Sequence, residues 1–249
     1  MRPIPDWLVT EPVTDVDLGV VTSGKEAQID LVERHGADGS SCLVARKRYI
    51  PREVNQKGEL AALGFQRTST FRHDVQYREG RQFRKSRDRR AVERMTTYGK
   101  HLLQDRWTGH EYEVMTQLWQ AGLSVPYPIA FGSDVLELEY VGTLDGAAPQ
   151  LRAAQLDRAS LDVAYEQLVD GLSVIVSAGY AHGDLSAYNL LWWDDRLWFI
   201  DFPQAVDIAA NPTGLDFLHR DVTNICGWFA RRGLDVDAEE TFVALLGVL

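Results

Sequence analysis

A short polar segment, followed by an apolar hairpin and a further aspartate, constrains this chain more than any other feature. Residues 182–189 read HGDLSAYN, and residues 200–203 read IDFP. Asp184 and Asn189 stand five positions apart, and Asp201 follows Asn189 by twelve. The stretch between Asn189 and Asp201 consists of two apolar runs around a polar turn, which predicts two short strands. The pattern therefore predicts a loop with two polar positions and a hairpin that ends in a second carboxylate.

Oxygen-bearing side chains at this spacing suit phosphoryl transfer from a magnesium nucleotide. That reaction needs one carboxylate to orient the attacking hydroxyl and hard oxygen ligands to hold Mg²⁺. A structural loop, in which Asp184 caps a turn and Asn189 bonds the backbone, is the alternative. The helix predicted before the loop and the hairpin after it favour catalysis. We therefore predict Asp184 as a catalytic residue, and Asn189 and Asp201 as metal ligands.

A lysine in a predicted strand has a candidate partner in a predicted helix. In the strand over 42–50, side chains alternate between two faces, so Lys47 shares its face with apolar residues and tyrosine. A lysine on an inward face needs an anionic partner. Glu111 lies within the apolar stripe of the helix predicted over 105–121 and is the expected partner. A solvent-edge lysine and a partly exposed glutamate are the alternative.

A glycine-containing turn links the first two predicted strands. Ser23, Gly24 and Lys25 form this turn. A small turn of this kind can present backbone N–H groups to phosphates. One glycine does not make a full phosphate-binding motif, and an ordinary β-turn explains the same residues.

The order of the predicted elements favours an α+β fold with two lobes. The predicted strands cover 16–21, 27–33, 42–50, 129–131, 135–141, 190–193 and 197–200, and the predicted helices cover 105–121, 160–177, 215–232 and 238–247. Strands dominate the first part and helices the second, with a hinge at about 141–143. We predict one domain, with a β-rich N-lobe over about 1–141 and a mainly helical C-lobe over about 142–249.

Charge and cysteine content limit the classes of partner and compartment. The net charge of −10 argues against generic coating of nucleic acid. Between Arg67 and Arg106, however, twelve basic residues face five acidic ones. That segment, predicted as a flexible basic loop over about 67–100, can be a solvated loop, a docking surface for RNA or a self-phosphorylated stretch. Two distant cysteines, a start without an apolar run of signal-peptide length and no long apolar run elsewhere lead us to expect a cytoplasmic protein without a membrane span.

Several motifs together resemble the RIO family of atypical serine/threonine protein kinases, in its bacterial type. Residues 182–189 are close to the family's H-[GA]-D-L-S-E-Y-N loop, with Ala187 in place of the usual glutamate. The other similar segments are the shortened phosphate loop at 23–27, the ATP-lysine strand at 45–49, the flexible loop at 77–80, the glutamate helix at 107–122, the metal loop at 200–206 and the following helix at 217–225. The resemblance spans nearly the whole chain.

The resemblance implies a trimmed protein-kinase fold without an activation segment or peptide-binding helices. It implies ATP and Mg²⁺ as cofactors, with Mn²⁺ as a substitute. Lys47 would contact the phosphates and be held by Glu111, and the backbone of 23–25 would cover the triphosphate. Backbone groups of Glu139 and Val141 would bind adenine. The expected activities are autophosphorylation and ATP hydrolysis through an aspartyl-phosphate on Asp201, and the expected partners are a protein substrate or the chain itself, with a ribosomal particle or RNA at the basic loop.

Two other functions fit the same residues. A small-molecule phosphotransferase of the aminoglycoside or choline kinase type shares a histidine–glycine–aspartate loop and an asparagine, although Ser186 to Tyr188 and Pro203-Gln204 favour the RIO family. A nucleotide-gated ATPase that acts in ribosome assembly would use ATP binding and slow hydrolysis to drive release from a partner.

Overall fold

The computed structural model describes residues 1–10, 12–24, 27–50, 97–132 and 134–249, and of the helix over 97–107 only the backbone. These residues form two compact units. The sheet unit holds the described residues of Val9–His110 together with Ile129–Leu138. The helical unit holds Met1–Leu8, Glu111–Pro128 and Glu139–Leu249. The hinge expected at about 141–143 stays a prediction.

A five-stranded sheet forms most of the sheet unit. Its strands are β1 Val13–Ser23, β2 Ala27–Gly36, β3 Ser41–Tyr49, β4 Pro128–Phe131 and β5 Val135–Glu139. They follow the order β1-β2-β3-β5-β4, and β2 runs antiparallel to both β1 and β3. The five strands predicted over this part of the sequence are present. The first is longer at both ends than predicted, and the last ends at Glu139.

The register of β2 and β3 assigns their side chains to two faces. Ile29 pairs with Lys47, and Asp30 pairs with Arg46. Because successive residues of a strand point to opposite faces, Lys47 and Arg46 lie on different faces of the sheet. The Lys47 ammonium lies 5.1 Å from the centre of the Tyr49 ring, which agrees with the shared face predicted for these two residues.

The Arg46 face carries a network of ion pairs that spans four strands. Arg34 binds Asp15 and Glu137 at 2.8 Å each, and Arg46 binds the same two carboxylates at 2.6 and 2.8 Å. The hydrogen bond from Arg34, with the charges of both arginines, lowers the pKa of Asp15 below its usual value. These interactions tie β1, β2, β3 and β5 together on the face opposite Lys47.

Four helices and three short strand pairs make up the rest of the described structure. The helices are α1 Thr97–Gln120, α2 Arg158–Ser177, α3 Gly214–Ala230 and α4 Ala238–Leu246. The paired strands are β6 Gly142–Thr143 with β7 Gly146–Ala147, β8 Tyr180–Ala181 with β11 Val206–Asp207, and β9 Leu190–Trp193 with β10 Arg196–Phe199. Beyond Asp201 the structure has β11, α3 and α4. Among the described helices, none combines the length and the apolar character of a bilayer span.

Helix α1 begins earlier than the sequence predicted. The prediction placed its start at Asp105, but the helix starts at Thr97, so residues 97–100 of the predicted flexible loop are helical. Leucine, lysine and glutamine are good helix formers, and the single Gly99 does not prevent a helix. The remainder of the basic segment, residues 67–96, lies outside the described residues, as does Lys25.

The hairpin of β9 and β10 places the end of the polar loop beside the following aspartate. Trp193 pairs with Arg196 across a two-residue turn, and Asp194 and Asp195 both have a φ of 53°. Two positive φ angles are typical of a type I′ turn, which matches the twist of the flanking strands. The predicted hairpin is thus confirmed.

Gly171 on α2 provides a test of the packing between this helix and the hairpin. A Cβ atom at Gly171 would lie 2.6 Å from Cζ of the buried Phe199 ring. We expect Gly171→Ala to destabilise the protein by about 1–3 kcal/mol, because overpacking outweighs the gain in helix propensity. Gly227→Ala on α3 is the matched control, since its Cβ would meet only the end of the Arg231 side chain at 3.4 Å. The control should be neutral or stabilising by up to about 1 kcal/mol in urea unfolding; equal losses for the two variants would contradict the packing argument.

Candidate active site

The polar loop over residues 182–189, called the catalytic loop below, is held by hydrogen bonds of its own. The side-chain amide of Asn189 donates to the carbonyl of Asp184 at 2.8 Å. The backbone N–H of Asn189 donates to the carbonyl of Ser186 at 2.9 Å. Because its amide nitrogen is engaged in this way, the amide oxygen of Asn189 is the side-chain atom suited to binding a cation.

The hairpin links Asn189 to Ile200, the residue directly before Asp201. The N–H of Ile200 donates to the carbonyl of Asn189 at 3.1 Å, which extends the β9–β10 ladder by one pair. Asp201 follows directly, with a φ of 69°. A non-glycine residue in this left-handed region carries backbone strain, and such strain clusters at functional sites. The structure thus places Asn189 and Asp201 at the same end of the hairpin.

These two residues fit a hard divalent cation. An amide oxygen and a carboxylate are ligands that Mg²⁺ accepts while it keeps several waters and binds phosphates. Within the described residues, no group of three or more His, Cys, Asp or Glu side chains is placed to hold a metal. A metal site at Asn189 and Asp201 stays a prediction.

Glu111 supports the segment that follows Asp201. Its side chain is fully buried on α1 and accepts the N–H of Phe202 at 3.1 Å. The helix is thereby joined to the backbone directly after the metal-loop aspartate. Lys47 is also buried, with 6% of its surface exposed. The two residues belong to different units, and the predicted Lys47–Glu111 pair stays a prediction.

A buried aspartate on α3 supports the start of the catalytic loop. Asp221 is fully buried and accepts the N–H groups of Gly183 at 2.7 Å and Leu185 at 3.2 Å. Arg220 donates to the carbonyl of Gly183. Burial raises the pKa of Asp221 above its usual value. Asp221 was not among the site residues predicted from the sequence.

His182 packs inside the catalytic loop. Its Nε2 lies 3.1 Å from the carbonyl oxygen of Ile200, and its ring centre lies 4.5 Å from that of Phe202. The imidazole therefore links the catalytic loop to the residues that flank Asp201.

The turn predicted to cover phosphates lies between β1 and β2, and its Lys25 lies outside the described residues. Ser23 pairs with Gln28, and the N–H of Gly24 donates to the carbonyl of Ala27 at 2.9 Å. That N–H is thus engaged within the turn. A role in phosphate binding for the turn at 23–25 stays a prediction.

The segment predicted to bind adenine has one unused donor. Glu139 donates its N–H to the carbonyl of Tyr127 at 2.9 Å, and its carboxylate accepts the N–H of Tyr127 at 3.0 Å. Burial raises the pKa of the Glu139 carboxyl. Val141 accepts the N–H of Ala148 at 2.9 Å, whereas its own N–H has no acceptor in the described part of the chain. This N–H can donate to a ligand.

Comparison with known proteins agrees with this arrangement. The sequence model of the RIO domain family matches residues 53–241, which is more than half of the chain. The chain belongs to the RIO family of protein kinases. A RIO domain has a kinase-like fold, and the β-rich sheet unit and the mainly helical unit have the composition of its two lobes. The fold class and the family predicted from the sequence are both confirmed.

The similar proteins carry the same family name. The RIO-type serine/threonine-protein kinase Rio1 of Thermoplasma acidophilum is 34% identical over 134 residues, which are 54% of this chain and 69% of the relative. The protein of the same name in Haloferax volcanii is 31% identical over 240 residues, 96% of this chain and 72% of the relative. A probable RIO1 homologue of Encephalitozoon cuniculi is 28% identical over 221 residues, 88% of this chain and 54% of that protein.

Proposed function

We propose that this RIO kinase transfers the γ-phosphate of ATP to serine or threonine hydroxyls of a protein substrate, itself included, with the help of Mg²⁺. The observation that carries the proposal is the bonding of Asn189, whose amide holds the Asp184 carbonyl and whose own carbonyl holds the residue before Asp201. One residue thus links the proposed base to the proposed metal ligand. The names of the relatives support the choice of serine and threonine.

Each site residue has a proposed task. Asp184 accepts a hydrogen bond from the acceptor hydroxyl and orients its oxygen toward the γ-phosphorus. Asn189 and Asp201 hold Mg²⁺, which neutralises charge on the phosphates. Lys47, held by Glu111, contacts the phosphates, and the backbone of the turn at 23–25 covers them. Little covalent chemistry falls to the protein, because phosphoryl transfer depends mainly on positioning and charge.

Adenine binding is proposed for the backbone at the end of β5. The free N–H of Val141 would donate to a ring nitrogen of adenine. The backbone carbonyl of Glu139 would accept a hydrogen bond from the amino group of adenine. Support comes from the bond between Val141 and Ala148, which fixes this backbone in place.

We also propose ATP hydrolysis at the same site, with Asp201 as the nucleophile. In an ATPase cycle, a carboxylate oxygen of Asp201 would attack the γ-phosphorus, and the bond to the β–γ bridging oxygen would break, so ADP leaves. Water would then attack the phosphorus of the aspartyl-phosphate, which restores the carboxylate and releases phosphate.

A cytoplasmic setting fits the two free thiols, Cys42 and Cys226. The basic segment at 67–96 is a proposed contact for RNA or a ribosomal particle.

An assay with γ-labelled ATP tests the proposal and separates the two activities. Labelled protein and free phosphate are followed together for the wild type and Asp201→Asn, with Mg²⁺, with Mn²⁺ and with EDTA. We expect acid-stable label on protein, lost in EDTA and reduced at least about 10²-fold in Asp201→Asn, because that variant loses a charged metal ligand. Label that hydroxylamine removes, accompanied by free phosphate, would indicate an acyl phosphate and hence the ATPase. Transfer that is undiminished in both EDTA and Asp201→Asn would contradict the proposed site, and label on a small alcohol rather than on protein would favour a small-molecule phosphotransferase.

A further inference from the structure

An arginine outside the catalytic loop is fixed against it by backbone hydrogen bonds. The N–H of Arg152 donates to the carbonyl of Ala187 at 3.0 Å, and the N–H of Leu151 donates to the carbonyl of Leu190 at 2.8 Å. Gln150 forms an antiparallel bridge with Leu191. The segment around Arg152 therefore runs alongside the second half of the catalytic loop and the start of β9.

The side chain of Arg152 is also held in place. Its Nε donates to the side-chain oxygen of Gln150 at 2.9 Å, and its guanidinium carbon lies 4.4 Å from the centre of the Tyr188 ring. Stacking on an aromatic face and one hydrogen bond leave an arginine little freedom. We refer to Arg152 and Tyr188 as the Arg152–Tyr188 pair.

Most of the donors of this guanidinium remain available. Arg152 is exposed, and its two Nη groups have no acceptor in the part of the chain that the structure describes. Arg158 and Arg220, in the same unit, each have a carboxylate within 4 Å. A pre-positioned guanidinium with two free amino groups matches the geometry of a carboxylate or phosphate and binds either one through paired hydrogen bonds.

Because Tyr188 belongs to the catalytic loop, the Arg152–Tyr188 pair lies beside the residues proposed for catalysis. It precedes Asn189 directly, follows the proposed base Asp184 by four positions, and is 56% exposed. A polypeptide whose serine hydroxyl reaches Asp184 has its neighbouring residues close to the exposed part of the catalytic loop. An extended peptide advances about 3.3 Å per residue, so a side chain a few positions from the serine lies at the right range for the pair.

We propose that the Arg152–Tyr188 pair determines substrate specificity by binding an anionic side chain, a carboxylate or a phosphorylated residue, within a few positions of the acceptor serine. The proposal rests on the proposed kinase function and extends it to the class of substrate. Arg152 touches neither the acceptor hydroxyl nor ATP in this scheme. Its contribution is therefore expected in KM for the peptide rather than in kcat.

Serine peptides with one varied position test this proposal. The peptides share one neutral sequence, and each position from −4 to +4 carries in turn glutamate, phosphothreonine, glutamine or lysine. For the wild type, we expect kcat/KM at the preferred position to be about tenfold higher with an anion than with glutamine, mainly through KM. Glutamate and phosphothreonine distinguish the two sources of the anion.

Variants connect any preference to the proposed residues. Arg152→Gln should remove the preference, and Arg152→Glu should reverse it toward lysine, which loss of folding cannot do. Tyr188→Phe should keep the preference because the ring face remains, whereas Tyr188→Ala should weaken it. Arg232→Gln is the matched control, because Arg232 also stacks on an aromatic ring, 3.6 Å from the centre of Trp228 at the end of α3. It should retain the wild-type preference.

Two results separate this inference from the kinase assignment. Equal transfer to anionic, neutral and basic peptides by the wild type would overturn the inference and leave the kinase assignment intact. Peptide binding is measured in parallel by fluorescence anisotropy, which needs no transfer. Tighter binding of anionic peptides that is lost in Arg152→Gln would support the inference even if no peptide were phosphorylated, and binding indifferent to charge would overturn it.

Discussion

Asp184→Ala is expected to lower the rate of phosphoryl transfer about 10³-fold while the protein stays folded. The lost carboxylate orients the acceptor hydroxyl in the proposed mechanism, and no other loop residue is placed to replace it. The bond from Asn189 goes to the backbone carbonyl of Asp184, at 2.8 Å, so this contact survives the substitution. We therefore expect the free energy of unfolding in urea to change by less than about 1 kcal/mol.

Asp170→Ala is the matched control for this prediction. Asp170 is an exposed carboxylate on α2, and its removal changes the net charge by the same amount. It should leave both the initial rate of labelling and the urea midpoint unchanged within error. If Asp184→Ala kept more than about one-tenth of the wild-type rate, Asp184 would not be the residue that orients the nucleophile.

The local pattern of the sequence predicted most strands and helices because each carries its own periodicity. The hairpin of β9 and β10 follows from apolar runs around a polar turn. The start of α1 could not be predicted, since residues 97–104 show no apolar stripe that separates helix from loop. The end of β5 was placed two residues late for a similar reason, because the apolar pattern continues past Glu139 while the ladder stops there.

The site residues show the same difference between contacts that are local in sequence and contacts that are not. The placement of Asp184, Asn189 and Asp201 could be predicted because one loop and one hairpin hold them, whereas their roles stay predictions. Asp221 could not, because its task is to bind the N–H groups of Gly183 and Leu185, and nothing near it in sequence indicates those partners. The apolar stripe of α1 predicted that Glu111 is buried, but it could not indicate the hydrogen bond that Glu111 accepts from the N–H of Phe202.

Among the glycines that the structure describes, Gly183 is the one where an added methyl group is expected to have the largest effect. A Cβ atom at Gly183 would collide with the carbonyl oxygen of Gln204 and lie 2.9 Å from its carbonyl carbon. Both partners are backbone, so either the catalytic loop or the segment after Asp201 must move. The φ of Gly183, 83°, adds strain for any residue with a side chain. We expect a loss of about 2–4 kcal/mol in the free energy of unfolding and at least about 10²-fold in transfer rate.

Gly179→Ala isolates the steric part of this effect. Gly179 has nearly the same φ, 85°, but a Cβ atom there would meet nothing within 4 Å. Its substitution should cost only the left-handed strain, about 1 kcal/mol, and leave the transfer rate close to that of the wild type. Urea unfolding and initial rates of labelling, measured on both variants, separate the two contributions. If Gly183→Ala behaved like Gly179→Ala, the close approach of Gln204 would not fix the loop. The positions of Asp184 and Asp201 would then depend on the other contacts of the loop, such as those of Asp221 and Glu111.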